Sequence, residues 1–113
     1  VFVAYDEQLA ARIRELVKGE PGLSEKKMFG GLAFLIGGNM AIAASGQGGV
    51  LVRVDPAESE RLVSTTDATT AVMQGREMPG WLRVDGPHIE PDDELTKWVK
   101  LGVGYASSLP TKR

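Results

Sequence analysis

The 113 residues include no cysteine and a single histidine, His88. Without a thiol there is no disulfide, no thiolate metal site and no cysteine nucleophile. Such a chain suits a reducing compartment, so a cytoplasmic location is expected. His88 lies in a Gly-Pro-His-Ile segment, and no serine occupies a strained elbow motif. Triad chemistry needs a nucleophile, a base and an orienter within hydrogen-bond reach. The chain is therefore expected not to be an enzyme. No apolar run is long enough to span a bilayer, and the N-terminus lacks the charged and apolar regions of a signal peptide. The first residue is Val1 rather than Met, so a short segment is expected to precede it. No charge sign dominates: 13 Lys and Arg face 15 Asp and Glu, a formal net charge of −2. Strong direct nucleic-acid binding usually draws on a basic excess, so it is not expected here.

No cofactor or metal site is expected either. Gly30-Gly31 and Gly37-Gly38 are flanked by strand patterns on both sides, whereas a dinucleotide loop joins a strand to a helix. Asp85, His88, Asp92, Asp93 and Glu94 match no calcium or zinc spacing, and acids in a first helical turn complement the helix dipole.

What the chain does hold is a clear switch of periodicity. Asp6 is placed to cap a helix with Leu9, Ile13, Leu16 and Val17 on one face, stopped by Gly19 and Pro21-Gly22. A short strand around Lys26–Phe29 leads through Gly30-Gly31 into Leu32–Ile36, apolar on both faces and hence expected to be central and covered on both sides. Gly37-Gly38-Asn39 predicts a hairpin turn to Met40–Ala44, and Ser45–Gly49 a second turn to Val50–Val54. Asp55-Pro56 starts a helix expected to run through Val63. Strands are expected at Ala71–Gln74 and Trp81–Asp85, with Gly75–Gly80 as the loop between them. Pro87 and Pro91 bracket a linker into a last helix with Leu95, Trp98, Val99, Tyr105 and Leu109 inward. Gly102 and Gly104 in that helix predict a bend or a close packing contact. The fold class is α+β: helix, three strands, helix, two strands, helix, a mostly antiparallel sheet with helices packed on it. Residues 1–113 are expected to form one domain.

Lys26-Lys27-Met28-Phe29-Gly30-Gly31, with Phe34 and Gly38-Asn39-Met40, resembles the TfoX N-terminal domain family of the TfoX/Sxy competence regulators. Gly75-Arg76-Glu77-Met78-Pro79-Gly80-Trp81 looks like that family's second signature, and the resemblance spans nearly the whole chain. It implies the same element order. It also implies a regulatory role, since full-length competence regulators are transcriptional co-activators working with the cyclic-AMP receptor protein. Those proteins carry a further helical C-terminal domain, for which the residues ending at Arg113 leave no room, so a stand-alone domain is expected.

The candidate partner-binding residues are Lys26, Lys27, Phe29, Arg53, Arg76, Arg83 and Trp81. Strand alternation sends Lys26 and Lys27 to opposite faces. Lys27, Arg53 and Arg83 on one face would attract an acidic partner or a phosphate backbone. The arrangement favoured over that patch is a solvated face with cross-strand acid partners. Met28, Phe29, Met78 and Trp81 would supply apolar contacts, including a homodimer through a strand edge or a Met/Trp patch. The favoured role is a non-catalytic regulatory domain that contacts protein, the transcriptional machinery among the candidates. The alternative is a small ligand-binding domain or enzyme with a pocket near Arg53, Arg76 and Trp81.

Overall fold

Asp6 starts the first helix as its position predicts. In the computed structural model, which describes residues 5–28 and 30–112, its carboxylate accepts hydrogen bonds from the N–H groups of Gln8 and Leu9 at 2.9 and 3.1 Å. That satisfies donors a helix start otherwise leaves unpaired. Helix α1 spans Glu7–Val17 and buries Leu9, Ala10, Ile13 and Val17. Leu16, expected inside, is 40 % exposed. The buried stripe is centred near Ile13 and Val17, so Leu16 lies on its flank and the small Ala10 takes the contact instead.

The chain continues as β1 (Leu23–Met28), β2 (Gly31–Ile36), β3 (Asn39–Ala44), β4 (Val50–Arg53) and α2 (Pro56–Thr65). It ends with β5 (Thr69–Met73), β6 (Arg76–Val84), α3 (Gly86–Ile89) and α4 (Asp92–Ser108). The fold is α+β in the expected order of helix, strands, helix, strands, helix. Several elements exceed expectation. The lead-in strand is a six-residue partner of β2, which makes four strands before α2. The expected linker between Pro87 and Pro91 is partly taken up by the single turn of α3, which starts at Gly86 and buries Ile89.

All strand pairs are antiparallel, in the order β1-β2-β3-β4-β6-β5. Gly37 and Gly38 take φ of +58° and +82°, the left-handed pair that a two-residue hairpin turn requires. β2 is buried along its whole length, although it lies second from the edge rather than at the centre. The expected loop Gly75–Gly80 is mostly strand. The turn is confined to Gln74-Gly75, and β6 begins at Arg76. Proline cannot donate to a ladder, yet Pro79 fits because β5 shifts register between Thr70 and Val72 and leaves it unpartnered.

The helices cover one face of this sheet. Leu9, Ile13 and Val17 of α1, Leu62 of α2, Ile89 of α3 and Leu95, Trp98 and Val99 of α4 share a cluster with Leu32, Phe34, Ile42, Val50, Val52, Leu82 and Val84. Gly102 lets α4 approach β3, because a Cβ there would overlap the Ala41 carbonyl oxygen. This is the close contact that a glycine inside a helix predicts. Tyr105 and Leu109, expected inward, are half-buried, and Leu109 lies beyond the helix end. The residues after α4 fold back on the β2–β3 turn. The Asn39 amide donates to the Pro110 carbonyl at 2.9 Å, and the Lys112 N–H donates to Gly37 at 2.8 Å.

One ion pair ties α1 to the sheet edge. The Arg14 guanidinium donates two hydrogen bonds to Glu25, at 2.7 and 3.0 Å. These bonds hold the Glu25 carboxyl below its ordinary pKa, against a smaller opposing effect of burial. A depressed folded-state pKa adds stability that is present above the unfolded-state pKa and lost as pH falls through the folded one. Wild type is therefore expected to melt slightly above Glu25→Gln at neutral pH, with the gap closing on acidification below the usual glutamate range. The effect is small because the pair is partly solvated. Thermal melts of both proteins across the acid range check it, and a gap that persists at the acid end would refute it.

Candidate functional site

The opposite face of the sheet carries a second apolar cluster: Ala33, Leu35, Met40, Ala43, Leu51 and Ala71, with Met28, Met73 and Trp81 packed against it. Among the described residues no helix side chain belongs to it. Its floor is buried because small alanines sit below longer neighbours: Ala33 is 0 % and Ala43 3 % exposed.

Strand register decides which cations share this face. Lys26 pairs with Ala33, Ala33 with Ala43, Ala43 with Leu51 and Leu51 with Arg83. Residues directly opposite in antiparallel strands point to the same side, so Lys26 and Arg83 stand at the two ends of one apolar row. Lys27 pairs with Leu32, and through it aligns with Ala44, Val50 and Val84 of the helix-covered core. Lys27 therefore does not line a face with Arg83, contrary to expectation; Lys26 does. Alternation separates the two lysines, but only pairing with β2 says which one goes where.

Arg53 and Trp81 are register partners. The Arg53 guanidinium lies 5.1 Å from the Trp81 ring centre and 5.6 Å from that of Tyr105. Each such contact contributes roughly 0.5–1 kcal/mol at a partly exposed site. Arg53 thus ties the end of β4 to β6 and α4. Arg83 donates to the Ser45 hydroxyl at 3.1 Å and to the Gly48 carbonyl at 3.2 Å, both neutral acceptors. Arg76 is exposed at the start of β6. Phe29 lies outside the described residues.

The ion pairs of the described residues sit elsewhere: Arg12 with Asp92, Arg14 with Glu25, Lys18 with Glu15, Arg61 with Glu58, Lys97 with Glu94, and His88 facing Asp67 at 3.3 Å. None of them involves Lys26, Arg53, Arg76 or Arg83. The favoured arrangement, a solvated face with cross-strand acid partners, forms no such ion pair among the described residues. Acids concentrate on the helices, as with Glu7, Glu58, Asp92, Asp93 and Glu94 in their first turns. A chain of net charge −2 thereby presents a locally positive sheet face.

At the β5–β6 end the face deepens into a cavity of about 550 Å³. Leu51, Ala71, Met73 and Met78 form its apolar walls, and Arg76 and Arg83 its charged ones. The anticipated pocket near Arg53, Arg76 and Trp81 is displaced: Arg76 lines it, while Arg53 and Trp81 are not among its lining residues. Ser45 and Gln47 also reach this cavity. Sequence spacing offered no sign of them, because the turn that carries them meets β6 only through the strand order. Among the described residues no three His, Cys, Asp or Glu side chains gather as a metal site requires. No helix of the described residues is long and apolar enough to cross a membrane.

The family model of the TfoX N-terminal domain matches residues 15–106. The chain belongs to the TfoX N-terminal domain family. The match runs from the last turn of α1 to the last turn of α4, and so includes every strand of the sheet. Both sequence signatures of this TfoX N-terminal domain contribute side chains to the helix-free face or its rim, although Lys27 and Phe34 of the first lie on the helix-covered side. The first contributes Lys26, Met28 and Met40, and the second Arg76, Met78 and Trp81. It is not a known enzyme family. A search of curated proteins finds no match.

Proposed function

We propose that this TfoX N-terminal domain is a non-catalytic regulatory module, working in the cytoplasm, that contacts an acidic protein partner through the helix-free face of its sheet. The supporting observation is the segregation of charge. Lys26 and Arg83 end an apolar row of Ala33, Ala43 and Leu51, and no ion pair of the described residues neutralises them. An apolar strip between unpaired cations matches a partner with an apolar ridge between carboxylates, and electrostatic complementarity would speed encounter and set register. Family membership is consistent with a regulatory role, and the transcriptional machinery is the natural place to look for the partner.

The neighbouring lysine provides the control. Lys26→Glu, which reverses the charge at one end of that row, is expected to weaken sharply the salt-sensitive capture of the partner from native lysate. Lys27→Glu, on the other side of the sheet, leaves it intact. Equal capture by both variants, or capture indifferent to salt, would remove the proposal.

A further inference from the structure

The cavity at the β5–β6 end has a ligand chemistry of its own. We infer that it binds a small amphipathic carboxylate, with the apolar body between Leu51, Ala71, Met73 and Met78 and the carboxylate at Arg76 and Arg83. Its volume of about 550 Å³ is in the range of small-molecule pockets. Buried Leu51 and Ala71 supply a dry floor. Met73 and Met78 are flexible, polarizable side chains that adapt to irregular apolar shapes. The two guanidiniums select the head group. Arg83 spends its two hydrogen bonds on the neutral Ser45 hydroxyl and Gly48 carbonyl, so its charge stays uncompensated while its plane is held. Arg76 is exposed and forms no ion pair among the described residues. A cationic ligand would meet two like charges here. A bare, strongly hydrated anion would gain nothing from the methionines and Leu51. A carboxylate on an apolar body uses both, since guanidinium and carboxylate planes match in a two-bond fork.

This site does not depend on the protein-contact reading, because Arg76→Ala changes the cavity and leaves Lys26 in place. The test is a titration of the whole protein with decanoate, followed by NMR of the methionine and alanine methyl groups. Acetate and decyltrimethylammonium serve as comparison probes. Saturable shifts at Met73, Met78 and Ala71 are expected with decanoate. Acetate is expected to produce no saturable shift, and the cationic amphiphile to bind at least about tenfold more weakly. Arg76→Ala is expected to weaken decanoate about tenfold, equivalent to about 1.4 kcal/mol, whereas Arg76→Lys keeps most of the affinity. Arg76 is exposed and free of structural bonds among the described residues, so both variants are expected to fold; their melting temperatures verify it. The inference is overturned if decanoate leaves the Met73 and Met78 methyls unmoved. It is equally overturned if the cationic amphiphile binds as tightly, or if Arg76→Ala binds decanoate like wild type.

Discussion

Alanine at Trp98 is expected to lower stability by about 3–5 kcal/mol, the usual loss for a fully buried Trp or Phe. Trp98 is 1 % exposed and belongs to the main cluster, where side chains from α1, α3 and the sheet converge. Its removal deletes transfer energy and leaves a void that surrounding elements cannot fill, because α4 is held on β3 and β4 and against α1 at once. Domains of this size have total stabilities of about 5–15 kcal/mol, so the variant should approach half-unfolding under mild conditions. Leu16→Ala in α1, at a side chain 40 % exposed, is the matched comparison and should cost under about 1 kcal/mol. Urea unfolding of the three proteins measures both. A loss below about 1.5 kcal/mol at Trp98 would mean that the core is looser than its burial indicates.

The second large effect is a contrast between two glycines of one helix. Alanine is favoured over glycine by roughly 1 kcal/mol in a helix interior, and propensity alone treats Gly102 and Gly104 alike. Their surroundings do not. A Cβ on Gly102 would overlap the Ala41 carbonyl oxygen and sit 3.4 Å from Val52 Cγ1, while a Cβ on Gly104 meets nothing within 4 Å. Gly102→Ala must push α4 off β3 or bend one of them, and is expected to destabilise by about 3 kcal/mol. Gly104→Ala is expected to stabilise by about 0.5–1 kcal/mol. Chemical unfolding of both variants gives the two signs directly. A neutral or stabilising Gly102→Ala would show that α4 does not lie against β3 as closely as described.

Much of the fold was legible in short segments. Asp6 and Asp55-Pro56 begin helices where local capping chemistry says they should, and Gly37-Gly38 turns a hairpin because both residues must take positive φ. A cap or a turn is decided within about four residues. The errors fall where a distant neighbour decides. β1 extends back to Leu23 because β2 offers it a ladder, despite the poor strand preference of Ser24-Glu25-Lys26-Lys27. β6 starts at Arg76 because β5 pairs with it there and skips Pro79. Leu16 is left on the flank of α1 because Ala10 lets the helix settle on its other side.

For the candidate site the division is sharper. The sequence alone determined the residue types: no thiol, one histidine, two lysines on opposite sides of a strand, and two glycine-bounded signatures rich in methionine and aromatics. Alternation within a strand is a property of its own backbone, so that much needs no partner. Tertiary structure alone decided that Lys26 rather than Lys27 joins Arg83, that Arg53 is taken up by Trp81 and Tyr105, and that Arg76 and Arg83 flank one cavity. Those outcomes depend on register between strands far apart in the chain. A shift of one residue would send every side chain of a strand to its other face, and that choice is made by the packing of the whole sheet against its helices.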